Sequence, residues 1–218
     1  GDVYKRQALT LALRQRGKQT RTVIGQRREI SSNLFSIPTV DEIELVDELP
    51  QGYDLYVTLD CGSLDRTGSL MEAVEAKAAA GRVLCIDHHS SNPGFGSINV
   101  VDPVCESTTV VLLDILDRLS VQIDRVIAHC LYAGLVTDTG SFRWGRPAMH
   151  DIAARLMLYG LDTKQIAMEL MDSNSADDIQ MIGRVLAGLS IEDAGEHRLA
   201  VLFVPYEEVR THADSAIE

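Results

Sequence analysis

The 218-residue sequence contains no apolar run approaching the ~18 residues that would suggest a membrane span. Positive charge is scarce: Lys and Arg total 20 against 32 Asp and Glu, a net charge of −12. Holding a long nucleic-acid duplex by phosphate neutralisation alone is thereby excluded. If a phosphate is the substrate, something other than surface charge must attract it, and a bound metal is the first candidate. The four cysteines, Cys61, Cys85, Cys105 and Cys130, include no Cys-x-x-Cys pair, and the chain is too long for a disulfide scaffold. Three of them lie in or beside apolar stretches, which suits buried free thiols and a reducing compartment, the cytoplasm. There is no initiator Met, signal-peptide pattern, internal repeat or low-complexity segment. What remains is ordinary for a globular chain, 45% hydrophobic and 24% charged, and rules out disordered and fibrous classes. The length allows one large domain, or one domain and part of another.

Both ends are abrupt. Asp2 to Gln7 matches the translation of the end of a transposon sequencing adapter, so residues 1–7 are read as foreign to the protein. The natural sequence would then begin near Ala8, inside an element. At the other end, residues 197–204 read as a strand and Pro205 to Val209 as the start of another element. A lone strand buries little, so this reads as the first piece of an unfinished domain.

Between these ends the pattern is α/β. Ala8 to Arg16 is helix-like, with Gly17 as its stop. The basic run 14–28 could guide a phosphate, or is a solvated helix end and loop. Residues 53–59 form a strand candidate ending at Asp60. Ser69-Leu70-Met71-Glu72 reads as a capping box opening a helix to Ala80, stopped by Gly81. Residues 82–86 form a second, buried strand ending at Asp87. Such a strand–helix–strand unit implies parallel strands with a right-handed crossover. A polar loop, 90–96, follows. Helices are then expected from Ser107 to about Leu119, from Asp124 to Val136, from Pro147 to Tyr159, from Asp162 to Met171 and from Ser175 to about Leu189. Strands come early and helices late.

Asp60 and Asp87 each end a predicted parallel strand, the edge at which ligands bind in open α/β sheets. Two carboxylates held together repel, and a divalent cation relieves that repulsion. Either alone reads more readily as a helix-capping Asp in a βα loop. The triplet Asp87-His88-His89 adds imidazoles fixed to a buried strand. In residues 137–144 (Thr-Asp-Thr-Gly-Ser-Phe-Arg-Trp), Asp138 ends an apolar helix and Gly140 permits a tight turn beside a ligand. Phe142 and Trp144 read as core aromatics, and Arg143 as a phosphate contact or a cation–π surface group. Asp60, His88 and Asp138 offer carboxylate and imidazole ligands without thiolate, a set suited to Mn²⁺ or a similar cation. Carboxylate-rich sites of this type often hold two metals and cleave phosphate esters by in-line attack.

These features, in this order, resemble the DHH phosphoesterases, whose name is the triplet at 87–89, and specifically their NrnA-like branch. Asp60 is similar to the family's second motif, Asp87-His88-His89 to the third, and residues 137–144 to the fourth. Residues 99–109 also resemble the segment that follows the triplet in that branch. The resemblance implies a Rossmann-like, mostly parallel sheet flanked by helices, followed by a linker helix and the start of a second α/β domain. It implies a catalytic domain over residues 8–188 lacking its first strand and first motif, with 189–218 opening the family's C-terminal substrate-binding domain. The implied activity is Mn²⁺-dependent hydrolysis of short oligoribonucleotides, dinucleotides of the pApA or cyclic di-AMP type, and 3′-phosphoadenosine 5′-phosphate. Two Mn²⁺ ions would serve the intact parent, with Mg²⁺ or Co²⁺ as possible substitutes. Asp60 would bridge both metals, His88 and Asp138 would ligate one, Asp87 would orient the site, and His89 would contact the scissile phosphate or the leaving oxygen. A short RNA or nucleotide would be the partner, with no membrane association and a homodimer possible. Without the first motif and most of the C-terminal domain, this fragment is expected to turn over little. The alternatives are a RecJ-like single-strand exonuclease, a family II pyrophosphatase, a non-catalytic nucleotide-binding module, and a purely structural α/β domain.

Overall fold

The structure, a computed structural model, describes residues 3–26, 30, 32–172 and 175–211. Its elements run α1 (Val3–Gln15), β1 (Val23–Ile24), β2 (Glu44–Leu45), β3 (Tyr56–Leu59), α2 (Met71–Ala79), β4 (Val83–Asp87), β5 (Ile98–Val101), α3 (Thr108–Arg118), α4 (Arg125–Asp138), α5 (Ala148–Met157), α6 (Thr163–Met171), α7 (Ala176–Ala187), β6 (Ser190–Ala194), β7 (His197–Val201) and α8 (Tyr206–Thr211). The chain divides into two units, Gly1–Leu170 and Met171–Glu218.

The first unit is built on a parallel sheet in the order β3-β4-β5. Leu59 pairs with Ile86, which brings the C-terminal ends of β3 and β4 level, so Asp60 and Asp87 emerge at one rim. The near-continuous burial of β4 explains its position: Val83, Cys85, Ile86 and Asp87 are all buried, as a strand covered on both faces requires. β1 and β2 form a separate two-residue parallel pair. Neither this pair nor β5 is picked out by the sequence reading: the two-residue pair is too short to show alternation, and β5 is four residues long and largely exposed, so burial gives it no one-sided pattern.

α4 is the hydrophobic axis of the unit. Nine of its residues, from Ile127 to Val136, are buried, and α1 and α3 pack beside it through Ala8, Ala12, Leu112 and Leu116. Each fully buried leucine contributes about 1.5–3 kcal/mol by leaving water. Asp124 starts α4 by accepting the Val126 and Ile127 N–H groups, and Ser107 starts α3 by accepting that of Thr109. These caps fix where each helix begins, and therefore where Thr108 and Asp138 fall.

Three local expectations are corrected. The capping box at Ser69 does not form: Ser69 lies in a 3₁₀ stretch, Leu64–Leu70, and its hydroxyl donates to the Val46 carbonyl, so α2 starts without a side-chain cap. α1 begins at Val3, not Ala8, and buries Val3, Tyr4, Lys5 and Gln7. The strand at 197–204 is shorter and not alone: β7 pairs antiparallel with β6, where the helix had been expected to lead directly into one strand. In the basic run, Arg14 pairs with Glu42 and Arg21 with Glu44, whereas Arg27 and Arg28 lie outside the described residues.

The second unit contains α7, the β6–β7 hairpin and α8. Ser175 and Asp178 form a reciprocal capping box at the start of α7, and Arg184 pairs with Glu208. Among the described residues, no helix is long and apolar enough to cross a membrane.

Candidate metal centre

Asp60 follows β3 directly and takes φ +59, a left-handed conformation that Asp tolerates better than most residues. Its N–H bonds to the Ile86 carbonyl, which ties the strained residue to β4. Such strain costs of order 1–3 kcal/mol and clusters at functional sites. The side chain is buried, and Thr108 Oγ1 donates to Asp60 Oδ1 at 2.6 Å. Asp60 Oδ2 therefore faces away from Thr108, toward the Nζ of Lys5 at 2.9 Å. The same ammonium lies 2.6 Å from Asp138 Oδ2. Two carboxylates from β3 and α4 thus converge on one cation, and Lys5 is wholly buried.

His88 completes the cluster. Its Nε2 is 3.8 Å from Asp60 Oδ1 and 3.7 Å from Asp138 Oδ2. Its Nδ1–H donates to the Cys105 carbonyl at 3.3 Å, which leaves the Nε2 lone pair turned toward the carboxylates. Asp87 is fully buried and supports the site from behind. Its Oδ1 accepts the His88 N–H at 2.8 Å and His89 Nδ1–H at 2.7 Å, and its Oδ2 accepts the Asn92 side-chain amide at 2.7 Å. A buried carboxylate with this many donors is satisfied without leaving its place. His89 is bonded through Nδ1, so Nε2 is its outward nitrogen, and its ring lies 4.5 Å from that of His88. Ligand atoms of Asp60, His88 and His89 fall within 4.8 Å of one another.

The donor set fits a divalent cation. Carboxylate and imidazole groups come from three separate elements, and they already surround one positive charge, the Lys5 ammonium, which marks where a cation sits. Of the six residues singled out from the sequence, Asp60, Asp87, His88, His89 and Asp138 are brought together. Arg143 is exposed on the loop after Asp138; its N–H donates to the Thr139 carbonyl at 2.9 Å, and its guanidinium makes no hydrogen bond or ion pair among the described residues.

That loop is unusual. Gly140, Ser141 and Phe142 have φ of +52°, +61° and +64°, three left-handed residues in succession. Phe142 turns inward against Tyr132 and His150. Trp144 corrects the expectation of a core aromatic: it is 57% exposed, because the left-handed run carries the chain outward before the ring is reached. Its indole N–H donates to the Asp138 carbonyl at 2.7 Å. Behind the loop, Arg146 forms a two-pronged ion pair with Glu106, and the arginine holds the Glu106 carboxyl below its usual range.

Sequence reading missed three contributors. Thr108 could have been suspected from Ser107-Thr108-Thr109 at a helix start. Asn92 sits in a polar loop with no motif of its own. Lys5 belongs to the segment set aside as foreign.

Comparison with known proteins agrees with this geometry. The family model for the DHH family, N-terminal domain, matches residues 6–135, which include Asp60 and the 87–89 triplet. The bifunctional oligoribonuclease and PAP phosphatase NrnA of Thermus thermophilus is 32% identical over 152 residues, covering 69% of this chain and 44% of that protein. A probable bifunctional oligoribonuclease and PAP phosphatase NrnA of Streptococcus mutans is 28% identical over 116 residues, covering 52% of this chain and 37% of that protein. The chain therefore spans less than half the length of the curated relatives it matches. A solved structure of an exopolyphosphatase-related protein from Bacteroides fragilis superimposes with a TM-score of 0.77 at 22% identity, covering 87% of this chain and 58% of that one, and shows the shared fold. With the family model matching more than half the chain, and its triplet set at the rim of a parallel sheet among converging carboxylates, the chain belongs to the DHH family and is NrnA-like.

Proposed function

We propose that the protein from which this chain comes is a phosphoric ester hydrolase that uses Mn²⁺, two ions in the intact molecule, to cleave short oligoribonucleotides, dinucleotides of the pApA or cyclic di-AMP type, and 3′-phosphoadenosine 5′-phosphate. The observation that carries this reading is the convergence of Asp60 and Asp138 on one cation, with the His88 Nε2 lone pair beside them. The activities named for the relatives, oligoribonuclease and PAP phosphatase, point the same way. Asp60, His88 and Asp138 would hold the metal, which when bound supplies an activated nucleophile and charge neutralisation at phosphorus.

The remaining roles belong to the side chains. Asp87 orients both histidines through its Oδ1. His89, with Nδ1 anchored, directs Nε2 toward a phosphate oxygen or the leaving oxygen, where a proton stabilises the departing group. Arg143 meets a phosphate through a two-pronged contact. A net charge of −12 favours short substrates, whose attraction is local. The domain reading follows: 8–188 as the catalytic domain, 189–218 as the opening of the substrate-binding domain, and 1–7 as foreign residues where the first motif belongs.

The test is to assay the full-length gene product on pApA, long single-stranded DNA and pyrophosphate, with Mn²⁺ titration of the parent and of Asp138→Ala. Cleavage of pApA and weakened Mn²⁺ affinity in the variant are expected. Pyrophosphate as sole substrate, or unchanged Mn²⁺ affinity, rejects the reading.

A further inference from the structure

We propose that Trp144 is a nucleobase platform beside the metal centre, a stacking surface for the base of a nucleotide whose phosphate enters among Asp60, His88 and Asp138. The proposal rests on the hydrolase reading for its substrate class and on four features of the loop for its location.

Trp144 is the chain's single tryptophan, and it is 57% exposed. Tryptophan is a residue that folding normally covers to a high degree. It is held in place despite that exposure. The indole N–H donates to the carbonyl of Asp138, the residue whose carboxylate contacts the cation, so one residue ties the ring to the centre. The ring also rests against Gly140: a Cβ added there would come within 2.2–2.7 Å of three ring atoms. Only glycine permits this seat. A ring fixed in this way loses little conformational freedom when a ligand stacks on it.

The backbone strain has the same direction. Phe142 turns inward and packs, but Ser141 and Phe142 both pay for left-handed geometry, and the result is to deliver Arg143 and Trp144, side by side, to the surface. A guanidinium and an indole adjacent in sequence, both exposed, with the indole tied to the backbone of Asp138, match the two parts of a nucleotide. The phosphate takes the cation, and the base takes the aromatic face. Stacking tolerates any base, which suits an enzyme for short oligonucleotides of mixed sequence.

Because there is one tryptophan, its fluorescence reports on this position alone. Titrating the chain with AMP should quench that emission saturably, whereas ribose 5-phosphate, which carries the phosphate without the base, should leave it unchanged. Equal responses to both, or none to AMP, overturn the platform. In an anisotropy titration with the fluorescent base analogue etheno-AMP, Trp144→Ala should weaken binding roughly tenfold, and Trp144→Phe should restore most of it. Equal affinity in Trp144→Ala and the parent rejects the proposal. The platform and the hydrolase reading fail separately. Hydrolysis of pApA by the full-length protein with an unmoved tryptophan removes the platform alone. AMP-specific quenching in a protein that cleaves no phosphoester removes the hydrolase alone.

Discussion

The first turns of α1 and the strand ends opposite them face the same small volume, yet they are built to different standards. At the strand ends every buried carboxylate is supported: Asp60 by Thr108, and Asp87 by two histidine groups and Asn92. In α1, consecutive polar residues are driven into the core. Lys5 finds two carboxylates, but Arg6 Nη1 and Gln7 Oε1 are buried without partners. Each such orphan costs about 1–3 kcal/mol. The strand-end carboxylates are each held by hydrogen-bond donors, while the helix turn supplies an ammonium by accident of reach, a long side chain whose tip arrives between Asp60 and Asp138.

Replacing Lys5 tests this contrast most severely. In Lys5→Met, Asp60 and Asp138 would face each other without the ammonium, and stability in metal-free buffer should fall by about 3 kcal/mol, the cost of breaking a buried ion pair. Mn²⁺ should then raise the melting temperature of the variant well above its effect on the parent, in which a metal must first displace Lys5. Thermal melts with and without Mn²⁺ measure both. No Mn²⁺ gain in the variant would mean that the carboxylates form a lysine pair and nothing more.

Thr108 carries the next largest effect, on the strand-end side. Thr108→Val keeps the shape and removes the hydroxyl that fixes Asp60 Oδ1, a loss of about 1–3 kcal/mol in urea denaturation. Thr108→Ser should retain most of the stability and the Mn²⁺ affinity. If serine is no better than valine, Asp60 is oriented by its strained backbone alone.

On the α1 side the sign reverses. Arg6→Met removes a buried, unpartnered donor and keeps an apolar stem, so it should be neutral or stabilising by about 1 kcal/mol. A clear loss of stability would show that the guanidinium is well accommodated, and the two regions would then differ less than the geometry indicates.

The same contrast explains what the sequence made legible. Asp60, Asp87 and Asp138 were readable because each terminates an apolar segment, and such an ending leaves a polar side chain only one place to go, the rim. The β3–β4 unit was readable because burial on both faces makes β4 a continuous apolar run. β5 and β6 were not: both are short strands with mostly exposed side chains, so neither shows a buried face set against a polar one. Thr108 reaches Asp60 across 48 residues of sequence and Asn92 reaches Cys61 across 31, relations that no local periodicity encodes. Trp144 was misread because its outward course depends on φ angles at 140–142, two of them on residues that seldom take positive values.

The smallest expected effect lies behind the cluster, where Glu106 and Arg146 clamp the loop that precedes α3 to the loop after Asp138. Arg146 holds the Glu106 carboxyl below its ordinary value of 4.5, so the ionised form is favoured in the folded chain. A carboxyl lowered on folding contributes stability that is fully present above its unfolded pKa and is lost as pH falls through the folded one. Glu106→Gln should therefore lower the melting temperature slightly at pH 7, since Arg146 is exposed and solvent screens the pair. The difference between parent and variant should shrink as pH falls through the lowered folded-state value of Glu106 and vanish once the parent's carboxyl is protonated. The clamp also sets the neighbouring Cys105 carbonyl that receives His88 Nδ1–H, so a difference that persists in acid would place the effect of Glu106 in its packing against Gly145 rather than in its charge.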